Sequence, residues 1–262
     1  MKIKAKKSLG QNFLHDKKIL KFISECTKIE GKEILEVGPG TGNLTSEILN
    51  KKPKKIFVVE KDRNLIVLLK KKFDNKVYYI NEDILNISEK NLTKNKLLVF
   101  GNLPYNISTE ILTKWIVNLN TNFWFEKLIL MFQKEVADRI ISTYNSSKYG
   151  RLSIISNWKL DVKKIIDIKP ISFTPIPKVD STLLIFEPKK NFFKLKEAKS
   201  LEKITRVFFN QRRKKIKKPM KTLFNNYENI AKKLNLNLDL RPQNLDFETY
   251  FKITEEFEKL RK

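Results

Sequence analysis

Glu33-Ile34-Leu35-Glu36-Val37-Gly38-Pro39-Gly40-Thr41-Gly42 is the stretch that decides the fold. A mostly apolar run ends in glycines at alternate positions and opens into residues 43–50, whose apolar side chains recur at helical spacing. The sequence thus reads strand, tight turn, helix. Glycines let the backbone turn sharply and let a ligand come close to it, which makes Gly38 and Gly40 candidate cofactor contacts. Pro39 departs from the dinucleotide fingerprint, where the helix N-terminus receives a pyrophosphate, so the pattern alone also fits a plain turn.

The alternation continues outward. Ile56-Glu60, Val77-Ile80, Leu97-Phe100 and Leu128-Phe132 read as strands, with Asn64-Phe73 and Ser108-Asn118 as helices between them. Ahead of the sheet, Asp16 suits the N-cap of a helix burying Ile19, Phe22, Ile23 and Cys26. Beyond it, Gln133-Thr143 reads as a helix and Leu152-Leu160 and Ser181-Phe186 as strands, separated by a loop marked by prolines from Pro170 to Pro177. This is the signature of an α/β, Rossmann-like sheet, mostly parallel with helices on both faces. The final connection need not be a helical crossover, so an antiparallel edge strand is expected. From about Lys189 the strand signal fades, and segments near Ser200-Asn210, Lys214-Asn225, Tyr227-Leu234 and Phe247-Leu260 read as helices. The expected division is residues 1–190 for the sheet domain and 191–262 for a small all-helical one.

Lys and Arg number 54 against 29 Asp and Glu, a formal charge of +25. That excess points to a polyanionic partner, nucleic acid or an anionic membrane surface, although many of the lysines read equally well as solvated faces. Arginine is more telling. Arg206, Arg212 and Arg213 share one segment with Lys214, Lys215, Lys217, Lys218 and Lys221, and no acid interrupts it, which makes it the best phosphate-binding stretch. Cys26 is the single cysteine, which excludes an intrachain disulfide and a cysteine metal cluster. His15, between Leu14 and Asp16, has no nucleophile motif around it for a Ser-His-Asp hydrolase. No run of about 18 apolar residues occurs, and the basic start lacks an apolar h-region. The expectation is a soluble protein, cytoplasmic or in an organelle reached by a signal not seen in the sequence, without membrane or metal.

Chemistry gathers at strand ends. Glu60, closing the second strand, is placed to accept hydrogen bonds from both hydroxyls of a ribose. Asp83, after the third, is placed to bond an adenine amino group. An adenosine-containing cofactor follows, and without a phosphate-cradling lysine S-adenosylmethionine fits better than a nucleoside triphosphate. After the fourth strand comes Asn102-Leu103-Pro104-Tyr105: an amide, a carbonyl freed by a proline-fixed turn, and an aromatic face. Those residue types suit gripping a flat heterocycle by its amino group, so the reaction read here is methylation of an amine on a base.

With these residues in view, the chain resembles the KsgA-type ribosomal RNA adenine dimethyltransferases along nearly its whole length. The resemblance rests on Gly10-Gln11-Asn12-Phe13-Leu14, the 36–42 turn, Phe100 to Ser108, Gln133-Lys134-Glu135-Val136, Tyr149 to Ser153, Phe173 to Ser181, and Phe209-Asn210-Gln211-Arg212-Arg213-Lys214. It implies a class I methyltransferase sheet. It also implies dimethylation of N6 on two adjacent adenosines near the 3′ end of small-subunit rRNA, in a 30S or pre-30S particle, by a monomer with a part in subunit biogenesis. By the same resemblance Asn12 and Leu14 close over the cofactor, Gly38 meets its methionine part, Glu60 its ribose, Asp83 its adenine, and Asn102 its reactive end and the target amine. Tyr105 stacks on the base, and Phe173 is a candidate second aromatic wall that reads equally well as an anchor of its loop in the core. Ile176 stands where many relatives carry a proline. Two rivals remain open at this point: a large-subunit dimethyltransferase of the macrolide-resistance type, and a non-catalytic RNA-binding assembly factor on the same fold.

Overall fold

The computed structural model describes residues 5–119 and 122–260. Its main sheet has seven strands: β1 (Glu33–Val37), β2 (Lys55–Val59), β3 (Tyr78–Ile80), β4 (Leu97–Asn102), β5 (Phe125–Gln133), β6 (Leu160–Ile168) and β7 (Ser181–Pro188). They lie in the order β3-β2-β1-β4-β5-β7-β6. Every residue of β1 is buried, as expected of a central parallel strand covered on both faces. The order reverses direction between β1 and β4, which are parallel neighbours with Val37 opposite Gly101. Ligands of such sheets bind outside the carboxyl ends of the strands at that reversal. Gly38 and Asn102, the next residues along, are therefore placed side by side by topology alone.

Strand β7 runs antiparallel to β5, with Ser181 opposite Gln133. The antiparallel strand lies one place in from the edge, and β6 takes the edge itself. A separate two-stranded ribbon pairs Phe13 with Thr174 and Leu14 with Phe173.

Two readings are corrected. Residues 152–160, expected as a strand, fall almost wholly in a helix, Arg151–Lys159. Leu152, Ser153, Ile154, Ile155, Ser156, Trp158 and Lys159 are all buried, and a helix covered on nearly every side shows no amphipathic period to tell it from a strand. Even Lys159 is enclosed, its Nζ over the Trp158 ring and donating to the Leu119 carbonyl. In the first helix, Lys17–Glu25, the Asp16 cap is present, accepting from the N–H groups of Lys18 and Ile19. The buried stripe, however, is Leu20, Ile23 and Ser24, and Phe22 is 41% exposed.

The chain divides into two compact units. One comprises Met1–Ile111, Asn120–Ala137 and Lys163–Pro188. Its core runs from Leu20 and Ile23 through Ile34, Val58, Leu98 and Phe100 to Leu183. The other comprises Leu112–Leu119, Asp138–Val162 and Lys189–Lys262. It contains the helix Arg151–Lys159 and the helices Ala198–Phe209, Lys217–Leu223, Tyr227–Lys233 and Phe247–Lys259. Its centre is aromatic: Tyr250 packs edge-on to Phe208 and stacks on Phe209, and its hydroxyl donates to the Pro242 carbonyl at 2.7 Å.

Candidate functional site

A cavity in the sheet unit is lined by Asn12, Leu14, Gly38, Gly40, Glu60, Asp83, Asn102, Leu103, Pro104 and Tyr105, residues scattered over ninety positions of sequence. It is roofed by residues 8–14 and floored by the ends of β1 and β4. Gly40 has φ 57°, and a Cβ there would lie 2.7 Å from the Phe13 ring. Both backbone and packing therefore require glycine where the roof meets the turn.

Glu60 is 8% exposed. Burial holds its carboxyl above the usual range, against the lowering pull of backbone N–H groups of Asp62 and Gly40. The Asp62 N–H donates to Oε1 at 2.9 Å, which fixes the carboxylate's direction. A desolvated, oriented acceptor of this kind gains from hydroxyl donors. Asp83 lies three residues beyond β3 and caps a short 3-10 turn. Its Oδ1 accepts from the Leu85 N–H at 3.0 Å and its Oδ2 pairs with Lys61 Nζ at 2.8 Å.

The reacting loop is built from both sides. Asn102 donates Nδ2–H to the Asn12 carbonyl at 2.8 Å, which turns Oδ1, an acceptor, away from that bond. The Tyr105 hydroxyl and Ser181 Oγ lie 2.5 Å apart, fixing the ring from its far end. Burial pushes the Tyr105 phenol up, against the opposing effect of its hydrogen bond with Ser181, so it stays protonated.

Phe173 is not in the cavity wall. It is fully buried in the core opposite Leu14, because alternation in the short extended stretch turns Phe173 inward and Thr174 outward. Of the two places open to Phe173, it occupies the core.

Sequence reasoning missed three features. Glu36 lines the cavity and is 2% exposed. Burial raises its pKa to about 7, while Thr45 Oγ1 donates to it at 2.7 Å. The signal was an acid set between Leu35 and Val37 in the interior of a strand. Ser181 gave only its place at the start of β7. Asp62 holds Lys6 and Gln11, and nothing in its sequence context distinguishes it from an ordinary helix cap.

In the helical unit, Arg206, Arg213, Lys214, Lys215, Lys217 and Lys218 are exposed. Lys215 pairs with Asp239 at 2.7 Å. Arg212 differs: its Nε donates to Gln243 Oε1 at 3.1 Å and its Nη2 to the Ser147 carbonyl, so its guanidinium fastens two loops within the unit.

A family model, "Ribosomal RNA adenine dimethylase", matches residues 2–259. The chain is 63% identical over 261 residues to the "Ribosomal RNA small subunit methyltransferase A" of Pelagibacter ubique (strain HTCC1062), covering 100% of both. Among solved structures it resembles a dimethyladenosine transferase from Plasmodium falciparum, with TM-score 0.78, 27% identity, and 94% and 98% of the two chains covered. The 23S rRNA methyltransferase ErmE shares the fold at TM-score 0.68 and 20% identity, covering 94% of this chain and 99% of its own.

Proposed function

This chain belongs to the ribosomal RNA adenine dimethylase family, and on that premise we propose that its substrate is small-subunit rRNA, methylated to N6,N6-dimethyladenosine at two adjacent adenosines near the 3′ end. The enzyme is S-adenosylmethionine-dependent. The choice of subunit follows the name borne by a relative that is 63% identical end to end. The substrate form in this reading is a 30S or pre-30S particle, met by a monomer in the cytoplasm.

The residues fit that cofactor. Glu60 offers an oriented acceptor for ribose hydroxyls, Asp83 one for an adenine amino group, and the glycine turn leaves room for close approach of the methionine part. When bound, S-adenosylmethionine supplies a methyl group on a sulfonium, so the leaving group is a neutral thioether and no strong base is needed.

The protein's task is then alignment. An adenine N6 is a weak nucleophile because its lone pair is delocalised into the ring. In the first transfer Asn102 Oδ1 and the Leu103 carbonyl would accept its two hydrogens, and in the second one of them would accept the single hydrogen left, drawing the nitrogen toward a tetrahedral shape; each N-methylated cation then releases one proton to solvent. Pro104 holds the carbonyl in the turn, and the Tyr105 ring, pinned at its hydroxyl, stacks on the base. Catalysis of this kind is positioning plus preorganised electrostatics. Bringing an adenine out of its stack costs a few kcal/mol. In this reading the basic stretch of the helical unit grips phosphates through Arg206, Arg213, Lys214, Lys217 and Lys218, with Lys215 and Arg212 already engaged within the protein.

The observation that carries the proposal is the Asn102–Asn12 bond, which leaves an amide oxygen as acceptor beside the cofactor cavity. Purified protein is incubated with methyl-labelled cofactor and unmethylated small or large subunits. Label in dimethyladenosine of the small subunit is expected; label in the large subunit alone, or none, overturns the assignment.

A further inference from the structure

Asp62 takes no part in the chemistry above and does not line the cavity, yet its side chain is only 4% exposed and has three partners. Oδ1 accepts from the Asn64 N–H at 3.0 Å and from Lys6 Nζ at 2.8 Å, and Oδ2 accepts from Gln11 Nε2 at 3.0 Å. The first bond is the usual work of a helix N-cap. The other two reach back 56 and 51 residues, to Lys6 just ahead of the segment that roofs the cavity and to Gln11 within it. Through its backbone, meanwhile, Asp62 donates to Glu60 Oε1 at 2.9 Å. One residue thus joins the ribose-facing carboxylate to the roof.

From Gln11 the chain passes directly to Asn12, whose carbonyl receives Asn102 Nδ2, and then to Leu14, whose carbonyl receives Asn43 Nδ2 at 2.9 Å. The Asn12 carbonyl matters because a side-chain amide has two nearly isosteric orientations. With Nδ2 held by Asn12, Oδ1 meets the target amine as an acceptor; flipped, the amide would set donor against donor. Whatever holds Asn12 in place therefore selects the productive face of Asn102.

We propose that Asp62 is a positioning residue: through Gln11 and Lys6 it holds segment 6–14 closed over the cofactor and so keeps Asn102 in its acceptor orientation. This rests on the function proposed above. It also gives Gln11 a role as the side chain through which the sheet grips the roof.

The test exploits the fact that Asn caps helices as well as Asp does. Asp62→Asn keeps the cap but removes the charge that holds Lys6 and one acceptor oxygen of the pair. Because these bonds hold a segment that can open locally without global unfolding, their loss predicts that the Kd for S-adenosylhomocysteine rises and kcat falls, each about tenfold, with Tm lowered by no more than a few degrees. Gln11→Ala should act in the same direction, and the double variant should fall short of the sum of the two singles, since the Gln11–Asp62 bond is lost in both. Gln11→Glu combined with Asp62→Asn reverses donor and acceptor, leaves a carboxylate for Lys6, and should restore most of both parameters. Wild-type Kd and kcat in Asp62→Asn, losses that only follow a lowered Tm, or strictly additive effects would each overturn the proposal. If the wild type itself failed to methylate small subunits, the proposed function would fall, while the S-adenosylhomocysteine affinities would still decide whether Asp62 holds the roof.

Discussion

The strand ends of the sheet unit and the basic stretch of the helical unit treat charge in opposite ways. At the strand ends Glu36, Glu60 and Asp62 are buried, each anchored by hydrogen bonds inside the protein. Along 206–218 most cations are exposed, and Arg212 is an exception. Burial turns a polar group into a fixed element of geometry, whereas exposure leaves it as a screened charge. The two regions should therefore fail differently: the first through rate, cofactor affinity and pH, the second through salt-dependent RNA affinity.

The sharpest break in that comparison is Asn102→Ala. Loss of an acceptor preorganised at the reacting atom predicts a fall of about 100- to 1,000-fold in single-turnover transfer, with subunit affinity in a filter-binding assay unchanged. Next comes Glu36→Gln. Burial raises Glu36 from 4.5 to about 7, so between those values the folded state keeps a proton that the unfolded state releases. Stability from this group is full below pH 4.5 and is lost as pH rises through 7, a swing on the order of 3 kcal/mol. Gln cannot titrate, so the variant should gain on the wild type between about pH 5 and pH 8, read as denaturant midpoints. An unchanged difference would mean that Glu36 is already ionised in the fold.

Arg212 and Arg213 test the other side. Arg212→Ala removes two hydrogen bonds from a charged donor and should cost about 1–3 kcal/mol in denaturant unfolding. Arg213→Ala should leave unfolding alone and lower the slope of log affinity against log salt by about 0.7 to 1. Equal behaviour of the two neighbours would erase the distinction between hydrogen-bonded and exposed cations.

Much of the sheet was legible because period and composition agree there: Glu33–Val37 and Ser181–Phe186 are strands as read, and the glycine turn, Glu60, Asp83 and Asn102 converge on one cavity. What stayed hidden was hidden for physical reasons. Residues 151–159 are buried on nearly all sides and carry no amphipathic signal. Phe173 faces the core because of alternation within a two-residue strand whose existence depends on pairing with Phe13 and Leu14. Arg212 differs from Arg213 only in what lies beside it, Gln243 and Ser147. Asp62 is similarly silent: a helix cap that grips a segment 51 residues away is written like one that does not.

The most direct measurement is nucleoside mapping of small-subunit rRNA after reaction with the purified protein. The account predicts N6,N6-dimethyladenosine at two neighbouring positions near the 3′ end, absent when Asn102→Ala replaces the wild type. Methyl groups at another base or on large-subunit rRNA, or dimethyladenosine formed undiminished by Asn102→Ala, would contradict it.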